Sequence, residues 1–160
     1  DQDPDGVADP QRLGATVIMG VGFSHGCWDL KPYSLFGRFR IALARTIGIH
    51  LRAMEGYGYD DDTWAALHWR EHPEIPPQPP GIPWENCPPD PLHTLLLLPD
   101  TGGTIPKAKC LPLALRIEEL IPRLESLGEN DGYGTWKELA AMFAAGLRRA
   151  HAEKKSVTYG

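Results

Sequence analysis

The chain has 160 residues, 42% of them hydrophobic, which suits one folded domain with a core of its own and argues against global disorder. Acidic residues outnumber basic ones 21 to 16, a net charge of −5. That argues against a general binder of nucleic acid or anionic membrane, since such binders need surplus Lys and Arg to displace counterions.

Cys27, Cys87 and Cys110 are widely spaced and form no CxxC pair, so neither a disulfide framework nor a zinc site is expected. No apolar run approaches the ~20 residues that cross a bilayer. A soluble cytoplasmic protein without a cofactor is the expectation.

In chain order, residues 1–18 are expected to be a flexible extension preceding a single domain over 19–160. Residues 1–14 hold four Asp, two Pro and two Gly and lack the basic-then-apolar order of a signal peptide. "ATVIMGVGF", 15–23, is β-branched and apolar enough for one short strand.

A helix is predicted from an N-cap at Ser34 to Gly48, with Phe36, Phe39, Leu43 and Ile47 on one stripe and Arg38 and Arg45 together on another face. "IHLRAME", 49–55, is a short second segment. Asp62 or Thr63 caps a helix running to about His72, with Trp64, Leu67 and His68 on one face.

Residues 73–91 contain nine prolines. Proline lacks the backbone donor and fixes φ, so this stretch is neither helix interior nor central strand but an extended surface insertion. The run 92–98 is a buried helix or strand, and "PDTGG" a turn.

Pro106 then suits the first position of a helix whose stripe is Leu113, Ile117, Leu120, Leu124 and Leu127, closed by Gly128. Pro112 and Pro122 are expected to bend or divide it. The last helix has a capping box, Thr135 with Glu138, and turns Trp136, Ala140, Phe143 and Leu147 inward. "SVTYG" leaves room for a short terminal strand. The fold class expected is mainly α: a compact helical domain with one short N-terminal strand and a long Pro-rich surface insertion.

The candidate chemistry lies mostly in "GFSHGCWDLKPYSLFGRFR", 22–40. His25, Cys27 and Asp29 alternate, so an extended chain would point them the same way. They could hold a metal, or Cys27 could attack with His25 as its base. The plainer reading is a Gly-flanked loop in which His25 bonds the backbone and Trp28 seals the core.

Arg38, Arg40 and Arg45 could clamp a phosphate or carboxylate, or be solvated, or pair with the acids of "YDDD". Asp60, Asp61 and Asp62 read as an acidic helix start, because neighbouring carboxylates fan apart. "DTGGTI" has the flavour of a calcium loop, yet places Lys109 where a bidentate Glu is required, which rejects calcium. His68 and His72 have helical two-ligand spacing but no third ligand. Trp84, inside the proline run, is either a ligand for an aromatic groove on a partner or part of a rigid strap.

Several segments together resemble a family of small, uncharacterised bacterial and phage-associated proteins. They are "MGVGFSHGCW" from Met19, "FGRFRIALARTIGI" from Phe36, "MEGYG" from Met54, "DPLHTLLLLPDTGGTI" from Asp90, "LALRIEELIPRL" and the closing "FAAGLRRA". The resemblance implies a shared compact fold, with residues 1–18 as an extension and the Pro-rich stretch as an insertion. Where that family commonly reads His-Ser-Asp-Cys-Asp-Gly, this chain has Leu98-Pro99-Asp100-Thr101-Gly102-Gly103, so a reaction or metal carried by that motif is implied to be lost here.

The leading expectation is therefore a non-enzymatic binding or regulatory protein that works through protein contacts, phage- or mobile-element-associated, with Arg38, Arg45 and Trp84 as binding residues. The rival is a small metal- or cysteine-dependent hydrolase or nucleotide-handling enzyme using His25, Cys27 and Asp29.

Overall fold

A computed structural model describes residues 20–57, 81–99, 102–124 and 134–160. The expectations placed on 1–18, on Asp60–Asp62, on the helix ending near His72, on the prolines of 73–80, and on Leu127 and Gly128 fall outside the described residues.

β1 (Gly20–Phe23) and β2 (Trp28–Pro32) form an antiparallel hairpin, pairing Gly20 with Pro32, Val21 with Lys31 and Phe23 with Trp28 across a bulge. Between them Ser24–Gly26 makes a tight 3-10 turn in which His25 (φ 60) and Gly26 (φ 73) both adopt left-handed backbone. Gly accepts that at no steric cost; His rarely does. α1 (Tyr33–Thr46) follows directly.

A 3-10 turn, Leu51–Ala53, leads towards Tyr57, and Trp84–Asn86 makes another. α2 (His93–Leu96) is one short turn of helix. After β3 (Gly103–Ile105) come α3 (Lys107–Leu124), α4 (Trp136–Glu153) and β4 (Val157–Tyr159).

The strands join in one antiparallel sheet of order β2-β1-β4-β3. The single strand expected of a mainly α chain is thus corrected: helices pack with a small four-stranded sheet. The signal was weak because three of the four strands are short and far apart in sequence. β2 is an edge strand, and Asp29, Lys31 and Pro32 along it discourage pairing with another chain.

Sheet and helices meet in an aromatic core. Phe23 stacks on Tyr159 at 4.3 Å and 7°, and meets Phe36 at 5.0 Å and Phe143 at 5.1 Å, while Trp28 lies 5.0 Å from Phe39. α3 packs along α4, and Leu113, Ile117, Leu120 and Leu124 are buried at the spacing expected of one helical stripe.

Pro112 and Pro122 do not divide α3; both lie inside it and on its exposed side. There water can satisfy the carbonyls that each proline frees. Two N-terminal expectations also change. Ser34 is not the cap of α1, which starts after Pro32 with no side-chain cap, and Pro106 precedes rather than opens α3. The Lys107 N–H is capped from a distance by the Ser156 hydroxyl at 3.2 Å. The Thr135–Glu138 capping box is present in full.

Candidate functional site

The 22–40 stretch does not extend as alternation requires. The turn at Ser24–Gly26 and the helical backbone of Cys27 send His25, Cys27 and Asp29 to three environments. Cys27 is fully buried against Gly146 of α4, Asp29 is exposed on the edge strand, and Trp28 is in the core. Burial pushes the Cys27 thiol up to about 12, with neighbouring Cys110 adding to the rise. A thiol so held is not the thiolate that nucleophilic attack needs.

His25 meets other partners. Its Nδ1 is 2.8 Å from the Ser24 hydroxyl and its Nε2 is 3.5 Å from Glu153 at the end of α4. Arg149 donates to the His25 carbonyl at 2.9 Å and so holds the left-handed turn, while the Thr158 N–H donates to the Ser24 oxygen at 3.0 Å. Ser24, His25 and Glu153 therefore form one polar line from hairpin to helix. In the tautomer whose Nδ1 is an acceptor, His25 can take a hydrogen bond from the Ser24 hydroxyl, and the Glu153 carboxylate stands beside Nε2. The sequence carried a hint in Gly22-Phe23-Ser24-His25-Gly26, a G-x-S-x-G spacing. Nothing marked Glu153.

The arginines divide. Arg38 and Arg40 line a cavity of about 440 Å³ with Arg52 and Tyr57. Arg45, expected with them, lines a different cavity of about 310 Å³ with His50 and Leu51. Arg40 is only 2% exposed, its guanidinium over the Phe36 ring at 4.5 Å and donating to the Leu98 carbonyl at 2.7 Å.

Trp84 is half-buried. Its Nε1–H donates to the Glu55 carbonyl at 3.0 Å, its backbone N–H donates to the Glu55 carboxylate at 3.3 Å, and its ring meets His93 edge-on at 5.2 Å. Ile82 exchanges backbone bonds with Ala53 and Glu55 at 2.9 and 3.0 Å. The described end of the Pro-rich stretch is thereby laced to the body, with Trp84 as its anchor rather than a side chain held out to a partner.

A third region was not singled out by the residues alone. Between α2 and α3, two adjoining cavities of about 610 and 820 Å³ share Asp90, Pro91 and Pro112. Leu97 on one side is 53% exposed and Leu115 on the other 46%. Asp90 fixes the floor by accepting from Arg116 Nη2 at 2.9 Å and from the Leu92 N–H at 2.9 Å. Burial alone would raise the Asp90 carboxyl, but those hydrogen bonds outweigh it and hold it below the ordinary carboxylate value. Leu115 was legible in principle, since it falls off the Leu113–Ile117–Leu120 stripe.

Among the described residues no three His, Cys, Asp or Glu side chains gather to hold a metal ion, and no helix is long and apolar enough to cross a membrane. The chain matches no family model, no curated protein and no solved structure.

Proposed function

We propose that this chain is a binding protein that docks an apolar segment of a partner protein across the α2–α3 face. The observation that carries the proposal is the pair of exposed leucines, Leu97 and Leu115, facing solvent on either side of a proline-lined groove. Exposed leucines contribute to binding by leaving water, about 25 cal/mol per Å² of apolar surface buried. Prolines, with φ fixed, and the Asp90–Arg116 clamp keep the groove in shape, so little ordering is lost on docking. The net charge of −5 and the exposed Glu119 at one end favour a segment with a basic residue at that end. Action in the cytoplasm, and the phage or mobile-element setting that the resemblance of the Met19, Phe36 and Asp90 segments implies, belong to the same proposal.

A photo-crosslinking amino acid at position 115 tests it, with the same group at exposed His151 as control. One protein crosslinked from 115 and not from 151, which when purified binds the native chain and loses affinity for Leu97→Asp and Leu115→Asp, supports the reading. No difference between the two positions rejects it.

A second reading is favoured by the Ser24–His25–Glu153 line: an acyl-transfer enzyme with Ser24 in place of Cys27 as nucleophile. Ser24 Oγ would attack an activated ester carbonyl as His25 Nδ1 takes its proton, and that proton would pass to the departing alkoxide. Water would then release the acyl group. A fluorophosphonate probe should label Ser24 in the native chain and not in folded His25→Ala. Absence of labelling rejects this reading.

A further inference from the structure

The arginine cavity plays no part in either reading. Arg38 and Arg40 come from α1 and Arg52 from the turn Leu51–Ala53, so two elements aim guanidinium groups at one concavity of about 440 Å³. Ser34 and Tyr57 add hydroxyl donors, and no carboxylate lines the cavity among its described residues.

Arg40 is built in rather than decorative. It is 2% exposed, lies over the rings of Phe36 at 4.5 Å and Tyr57 at 5.4 Å, and donates to the Leu98 carbonyl at 2.7 Å and the Tyr57 hydroxyl at 3.1 Å. Those contacts fix the plane of the guanidinium at the cavity wall.

We infer that this cavity binds a small phosphomonoester. Three forked cations suit a dianion with three acceptor oxygens better than a carboxylate, which offers two oxygens and one charge. The volume leaves room beyond the phosphoryl group for a compact organic moiety, against the aromatic edge of Tyr57. Arg38, Arg40 and Tyr57 carry further interactions, so the ligand exchanges with existing partners and binds with modest affinity.

The test is calorimetric titration of the full chain with phenyl phosphate and with benzoate at low salt. Saturable one-to-one binding of phenyl phosphate, tighter than benzoate, is expected, and it weakens at high salt. Because removal of Arg40 could unfold the protein, the variants are Arg38→Gln and Arg52→Gln at the exposed rim. Each should weaken phenyl phosphate about tenfold, the loss of a charge-assisted bond, and Arg52→Gln should do so with the melting temperature unchanged. Lys155→Gln removes one exposed positive charge elsewhere and should leave binding intact. The inference is overturned by no saturation, by equal affinity for the two anions, or by Lys155→Gln weakening binding as much as the rim variants.

Discussion

Cys27 lies so close to Gly146 that a Cβ built on the glycine would stand 2.6 Å from the cysteine's Cα, N and Sγ atoms. The turn that carries Ser24 and His25 therefore presses backbone against backbone on α4. Gly146→Ala would gain about 1 kcal/mol of helix propensity on an open helix. Here overpacking reverses the sign, with an expected loss of about 1–3 kcal/mol in urea unfolding. Gly37→Ala, where nothing lies within 4 Å of the added carbon, should instead stabilise α1. If Gly146→Ala also stabilises, the close approach is wrong.

The buried thiol of Cys27 makes stability depend on alkaline pH. Its pKa rises from 9.0 in the unfolded chain to about 12 in the fold. The folded state thus keeps the proton longer, a contribution fully present below pH 9 and lost as pH climbs towards 12. Melting temperature followed from pH 8 to 11 should fall, and Cys27→Ala, although less stable at pH 8, should fall less steeply. The thiol should also resist iodoacetamide at pH 8 until denaturant is added.

Asp90 has the opposite dependence. Its carboxyl is held below the ordinary value in the fold, so its contribution is present above the unfolded pKa and lost as pH falls through the folded one. Asp90→Asn should cost about 1–2 kcal/mol at neutral pH, since Arg116 keeps only a neutral acceptor. Chemical denaturation should show the gap between native and variant closing in acid.

Trp84→Ala should lower the melting temperature by several degrees, because it removes the ring packed on His93 and the Nε1–H bond to the Glu55 carbonyl, while the backbone bond to the Glu55 carboxylate stays. A surface strap held out for a partner would give no change. Proteolysis within the Pro-rich stretch, followed by mass spectrometry, should become faster in the variant.

The helices were largely legible in the sequence, for a physical reason. The Leu113–Ile117–Leu120–Leu124 stripe and the Thr135–Glu138 box are local signals, complete within one or two turns. The sheet was legible only in part: "ATVIMGVGF" and "SVTYG" marked β1 and β4, while β2 and β3 went unmarked. β3 and β4 are three residues each, and what makes them strands is pairing between distant segments: Ile105 with Val157, Phe23 with Tyr159. The candidate site divides the same way. His25 drew notice through its company of Cys27 and Asp29, yet its ring partners are the adjacent Ser24 and the remote Glu153. Arg38, Arg40 and Arg45 were read together, but Arg38 and Arg40 share their cavity with Arg52 while Arg45 lines another, and the turn at Leu51–Ala53 that places Arg52 has no strong local mark.

The strand order has a consequence for how the chain is made. β4 lies between β1 and β3 and, among the described residues, is the only strand to touch both. A ribosome that has completed α4 but not Val157–Tyr159 presents a hairpin and a lone strand whose open edges face an empty slot. Until it is filled, Phe23 lacks its stacking partner and any foreign extended peptide can compete for the gap.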